Sequence, residues 1–300
     1  MATSGLAQSI AALYDTVRPV RALDAAINPD VTIVTGYVEI DHVPADTEPA
    51  FRYRTREHYL RWMRAMLSIR ANMVVRVEPP SIPFVEEARK ELSGRTAITP
   101  VSADALRASP EHAEIARIIA GGYMRGATRP NRIELKAPLY AAIMFSKFAW
   151  MREAIRANPF GTRYFLWMDA GFGHGLDRRV RYRSVVGRAW PSASKNTRMA
   201  DTVLVLATGL HVAHLDPVEM MTTHNTVVAG GIWGGEARKL VEMCDRFDEE
   251  LAWTFAHNLL DDDQSVLSRV YLNHPELFTA VDCSGRLRDR CYFLKYLDAN

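Results

Sequence analysis

"RYFLWMDAGFGHG", residues 163–175, runs from an apolar segment straight into small residues and places one carboxylate, Asp169, at the junction. Tyr164 to Met168 carry no charge and read as a strand buried on both faces. Strands of that kind belong to parallel sheets covered by helices, so this stretch argues for an α/β fold. The lone acid has two readings. It can cap a turn by accepting from a following backbone N–H. It can also hold a charged ligand, because open α/β sheets place ligands beyond the carboxyl ends of their strands. Ala170 and Gly171 leave room for a bulky group, and a metal-bound phosphate is the usual bulky group that needs a carboxylate.

Outward from this strand the pattern alternates. "VTIVTGYV" (31–38) reads as a second doubly buried strand. The amphipathic helix that follows starts near Thr55, has Glu57 in its first turn, and places Tyr59, Met63, Met66, Leu67 and Arg70 at helical spacing. "MVVRVEP" is a strand closed by Pro79 and Pro80, which completes a parallel βαβ unit. Residues 83–94 form a helix with Pro at its start and Gly94 as its stop. "TAITPVS" is a short strand or turn, a helix ends at Gly121, and "YMRGATRPNRIE" is a loop. Residues 135–159 form a helix that is apolar nearly all round, hence central. "DTVLVLATGLHVAHL" and "NTVVAGGIWGG" read as strands, 234–260 as a long helix, and "TAVDC" and "RCYFLKYL" as terminal strands. No linker of domain-boundary quality interrupts the 300 residues, so one α/β domain is expected over 1–300.

Bulk properties exclude several classes. The formal charge is +2, with no dense Lys/Arg block, which disfavours nucleic acid as a partner. The basic run "DRRVRYR" (177–183) reads as a solvated or anion-facing strand. Cys244, Cys283 and Cys291 suggest neither a disulfide framework nor a zinc site, and reduced cytosolic thiols are the simpler reading. The N-terminus lacks the pattern of a signal peptide, and the longest apolar window is broken by Lys147. A soluble protein without a transmembrane segment is expected, with peripheral membrane contact left open. "GFGHGL" and "GGIWGG" miss the dinucleotide-binding spacing, which demotes an NAD-type enzyme, and there is no P-loop. His211 and His214 on one strand would point to opposite faces and share no metal.

Two further features carry chemistry. "LLDDDQSVLSRVY" sets Asp261, Asp262 and Asp263 just before a helix. One of them serves as N-cap; three exceed what a cap needs, which leaves a carboxylate of raised pKa, a metal ligand or a solvated turn. In "TTHNTVVAGGIWGG", Gly230 and Gly231 allow close approach of a ring, and Trp233 offers an aromatic face suited to a sugar; a tight strand-to-helix turn is the plainer alternative.

In order and spacing, "TIVTGY", "APLYAAIMFSKFAWMREAIRANPFGTRYFLWMDAG", "VVAGGIWGG" and "DDQSVLSRVYLNHPELF" resemble the HtrL/YibB family over roughly residues 30–280. That family is similar to glycosyltransferases of the GT-A type and is associated with bacterial surface polysaccharide and lipooligosaccharide loci. The resemblance implies a GT-A-like (Rossmann-like) mixed sheet flanked by helices, a nucleotide-sugar donor and a glycan or lipid-linked glycan acceptor. It implies a nucleotide-binding part over roughly 30–175, an acceptor part over roughly 176–300, and a cytoplasmic location at the inner face of the membrane. Thr35 and Gly36 would lie near the nucleotide, Lys147 would face the diphosphate, and Asp169, Ala170 and Gly171 would stand where the D-x-D element stands. Gly230, Gly231 and Trp233 would line the sugar or acceptor, Asp262 or Asp263 would be the base at the acceptor hydroxyl, and His274 would be a late metal ligand. The second acid of D-x-D is missing. Either Asp169 shares a divalent Mn or Mg ion with one other ligand, or the enzyme needs no metal. The same gap fits a non-catalytic nucleotide-sugar or carbohydrate-binding protein on a degenerate fold.

Overall fold

A computed structural model describes residues 26–49, 55–173, 185–208, 216–282 and 291–299. His211, His214 and the 177–183 run lie outside the described residues. The chain begins with β1 (Val31–Tyr37), α1 (Arg56–Leu67) and β2 (Asn72–Val77), the βαβ unit anticipated from the pattern. Thr55 caps α1 in a capping box with His58. Then come α2 (Ile82–Ala88), β3 (Thr96–Pro100), α3 (Ala103–Arg107), α4 (Pro110–Gly121) and α5 (Pro138–Ala157). The 83–94 helix ends early, since Lys90–Arg95 winds as a 3₁₀ turn. The second half holds β4 (Tyr164–Met168), β5 (Val203–Ala207), α6 (Pro217–Thr223), β6 (Val228–Glu236), α7 (Ala237–Ala256), α8 (Asp263–Asn273), β7 (Phe278–Val281) and α9 (Cys291–Tyr296).

The described strands form one seven-stranded sheet in the order β3-β2-β1-β4-β6-β5-β7. β6 runs antiparallel to β4 and β5, and the other pairings are parallel. Alternate residues of each strand serve different cores. Val34, Phe165, Trp167, Val205 and Trp233 meet α4, α5, α7 and α8 on one face. Ile33, Val75, Leu166, Leu206 and Ile232 meet α1, α2 and α9 on the other. The architecture is a mixed sheet in a single domain with helices on both sides. No helix among the described residues is long and apolar enough to cross a membrane.

Two expectations change. Within "RCYFLKYL", Cys291–Tyr296 is helical, not a strand; Phe293, Leu294 and Leu297 face the core together at i, i+1 and i+4. β6 is one nine-residue strand through the glycines of "VVAGGIWGGE", and its pairing with β5 shifts register there, with Val205 facing Trp233 and Leu206 facing Ala229. A Cβ at Gly234 would overlap Phe165 O, and one at Gly235 would overlap Thr202 O, so these glycines let neighbouring backbones close in. The long helix therefore begins at Ala237 rather than 234.

Candidate active site

Chain order reverses at β1: β2 and β3 lie to one side and β4 to the other. This is the switch point where open α/β sheets form their ligand crevice. A cleft of about 430 Å³ opens there, lined by Gly36, Tyr37 and Val38 at the end of β1 and by Asp169, Ala170 and Gly171 after β4. Arg132, Glu134, Lys147, His224, Gly231, Asp262, Asp263 and Gln264 line it as well.

Asp169 sits where β4 ends. Its N–H donates to Gly231 O at 3.0 Å, tying it to β6. Its Oδ1 accepts from Trp167 Nε1 at 2.7 Å, and Lys147 Nζ lies 3.0 Å away. Lys147, midway along α5 and 2% exposed, also donates to Asp263 Oδ2 at 2.9 Å. Burial opposes its charge, but Asp169 and Asp263 outweigh that and raise its pKa, so the ammonium persists. Burial also lifts Asp263, to about 6, with Asp262 and Asp169 adding to the rise and Lys147 opposing it. Gly230 makes room for this carboxylate, because a Cβ there would overlap Asp263 Oδ2 and stand 2.8 Å from Gln264 Cγ.

A second cluster adjoins the first. Arg132, from the loop before α5, donates to Asp261 Oδ1 and, at 3.0 Å, to Asp262 Oδ2. Asp262 caps α8 by accepting from Ser265 N at 3.1 Å, and it also accepts from Gln264 Nε2 at 2.8 Å. Burial works against the Asp262 charge, yet the Arg132 and His224 charges and these donors hold its pKa down at about 2. Asp261 accepts from Ser265 Oγ and, at 3.0 Å, from His224 Nδ1. Burial disfavours the His224 cation, and Asp261 and Asp262 reverse that, raising its pKa. Ligand atoms of His224, Asp261 and Asp262 all lie within 4.8 Å of one another. An imidazole with two carboxylates is compatible with a divalent ion, and Arg132 supplies the positive charge in this arrangement.

The chain's fit to a family model is extensive: "Bacterial protein of unknown function (HtrL_YibB)" matches residues 29–292. This protein belongs to the HtrL_YibB family. The family span takes in β1 to the start of α9 and every cleft residue named above. No curated protein sequence matches the chain. Among solved structures, the apo form of mouse xyloside xylosyltransferase 1 is similar over 85% of this chain and 86% of that one, at 10% identity and a TM-score of 0.43.

Of the residues anticipated in this family member, Gly36, Lys147, Asp169, Ala170, Gly171, Gly231, Asp262 and Asp263 meet at the cleft. Gly230 lies beneath Asp263. Others do not reach it. Thr35 points to the opposite face of β1 from Gly36 and is fully buried. Trp233 is fully buried in the core, its ring stacked 5.1 Å from Phe148 and 6.1 Å from Trp167, so it offers no face to a sugar. His274 stands at the far end of α8 from Asp263, 3.7 Å from Glu276, and is no part of the His224 group. Lys147, which does line the cleft, is paired there with Asp169 and Asp263. The sequence reading missed Arg132, Glu134 and His224. Arg132 and Glu134 stood in a stretch read only as loop, and the pairing of Arg132 with acids more than a hundred positions away leaves no local spacing to find.

Proposed function

We propose that this protein is a GT-A-like glycosyltransferase that moves a sugar from a nucleotide-sugar donor to a glycan or lipid-linked glycan acceptor, in bacterial surface polysaccharide or lipooligosaccharide synthesis at the cytoplasmic side of the membrane. The observation that carries this reading is the Asp263 carboxylate, buried at the switch-point cleft, seated over Gly230 and beside Lys147 and Asp169. Residues roughly 30–175 would hold the nucleotide, and roughly 176–300 the acceptor.

The two aspartates proposed as base are no longer equivalent. Asp262 is pinned as the α8 cap and held at about 2, so it is a poor proton acceptor. Asp263, lifted to about 6, takes the proton of an acceptor hydroxyl as that oxygen attacks the anomeric carbon and the nucleoside diphosphate departs. Lys147 holds Asp263 in place and balances its charge. Arg56 and Arg129, half-exposed and ion-paired with Glu39 and Glu48, line the same cleft and would turn to the negative charge on the leaving group. A divalent ion, where used, would be held by His224, Asp261 and Asp262 and would add Lewis-acid stabilisation of that group.

A thermal-shift panel of UDP-, GDP-, CMP- and dTDP-sugars, with and without Mn²⁺, tests the reading. A ligand of the folded state raises the melting midpoint. One donor class is expected to do so, and Asp263→Asn is expected to keep that shift while losing transfer. A flat panel would refute the proposal.

A further inference from the structure

Glu134 is the cleft residue for which the mechanism above has no use. It lies in the 3₁₀ turn Ile133–Leu135, and it is 5% exposed. Its Oε2 is buried and accepts no hydrogen bond among the described residues. Arg132 Nη2 lies 3.4 Å from that oxygen, an ion pair without hydrogen-bond geometry, and its guanidinium is already engaged by Asp261 and Asp262. A buried carboxylate oxygen without a hydrogen-bond donor costs stability, and a ligand hydroxyl would complete it. Ile133, Tyr140, Ile143 and Met144 line the same cleft, which favours a neutral ligand portion over another cation.

We infer that Glu134 accepts a hydrogen bond from a hydroxyl of the sugar held in this cleft and so sets which sugars bind. The inference rests on the glycosyltransferase reading for the identity of the ligand. Burial pushes the carboxyl up to about 7, with the Asp262 and Asp261 charges adding to it and Arg132 and a backbone hydrogen bond opposing. Glu134 is a specificity residue in this account; the proton of the reacting hydroxyl goes to Asp263.

Calorimetry on wild type, Glu134→Ala and Glu134→Gln tests it, with two sets of probes. One set compares UDP-, GDP-, CMP- and dTDP-sugars with the corresponding free nucleotides. The other titrates methyl glycosides of glucose, galactose and N-acetylglucosamine into protein saturated with the best nucleotide. The expected result is that Glu134→Ala weakens sugar-dependent binding about tenfold or more, leaves the free nucleotide unchanged, and is partly rescued in Glu134→Gln, which keeps an oxygen acceptor. Loss in the first set places the hydroxyl on the donor, and loss in the second places it on the acceptor. The melting midpoint of ligand-free Glu134→Gln should equal or exceed that of wild type, whereas a structural role predicts a fall. Sugar binding that survives Glu134→Ala, equal weakening of sugar nucleotide and free nucleotide, or a lower midpoint with unchanged binding would overturn the inference and leave the glycosyltransferase reading standing. Wild type that binds a glycoside through Glu134 but no sugar nucleotide would do the reverse. Wild type that binds neither overturns both.

Discussion

Arg89 and Arg132 are two arginines buried to nearly the same degree, 1% and 4% exposed, with opposite surroundings. Arg89 faces only neutral oxygens. It donates to Leu67 O at 2.9 Å, Ile69 O at 2.7 Å, Ala71 O at 2.7 Å and Thr96 Oγ1 at 2.9 Å. It stitches the chain leaving α1 to the turn before β3, and burial lowers its pKa to about 10. Arg132 faces Asp261, Asp262 and Glu134, and after burial has opposed its charge these acids still raise its pKa. A fold that needs only carbonyls satisfied can use an unpaired cation. Three buried carboxylates gathered beside a switch-point cleft are not needed for that purpose. The difference separates a structural arginine from one that serves a site.

Replacing each by methionine should break the two in different ways. Arg89→Met strands several buried carbonyls at once and should cost about 3–5 kcal/mol in denaturant unfolding, with little change between pH 4 and 8. Arg132→Met leaves buried acids uncompensated and should cost about 3 kcal/mol at neutral pH. At Asp262 its pH dependence differs in sign from wild type. In wild type the Asp262 pKa is lowered from 3.8 to about 2, so its contribution is present above 3.8 and is lost as pH falls towards 2. Without Arg132, burial raises that pKa instead, and acidification should recover stability for the variant. Parallel pH profiles for the two variants would erase the distinction drawn between the arginines.

Lys147 is a third buried cation and belongs with Arg132, since it is shared by Asp169 and Asp263. Gly230 gives a way to disturb that pairing without changing a charge. Gly230→Ala should cost about 2 kcal/mol by crowding Asp263 and should depress transfer by displacing its carboxylate. Unfolding curves together with donor turnover check both effects. Normal turnover would separate Asp263 from the chemistry.

Much of the sheet could be read from the chain because its signals are local. The doubly buried runs 31–37 and 164–168 appear as strands, and Pro138 and Asn158 bracket the central helix. Asp169 and the D-D-D-Q turn were legible as acids at element ends. What was not legible depends on contacts between distant residues. Trp233 between glycines looks like an open aromatic face, yet the glycines serve β4, β5 and Asp263, and the indole is left in the core. The carboxyl-terminal aromatics suggested a strand because short apolar runs do not separate strand from helix. Arg132, Glu134 and His224 join the site from a loop, a 3₁₀ turn and the end of α6, where the sequence carries no periodicity to mark them.

The last effect sharpens the comparison furthest, because it concerns the acid whose Oε2 lies 3.4 Å from Arg132 without a hydrogen bond. Burial raises the Glu134 pKa from 4.5 to about 7. Between those values the folded protein binds more protons than the unfolded chain, so this group's contribution is full below 4.5 and is lost as pH rises through 7. Glu134→Gln has no such term. The stability of the variant relative to wild type should therefore increase across that window, by up to about 3 kcal/mol, and stay level above it. Denaturant midpoints at closely spaced pH values check this. A difference that does not change with pH would mean that Arg132 satisfies Glu134 as fully as it does Asp261 and Asp262, and that all three acids are simply its counter-ions.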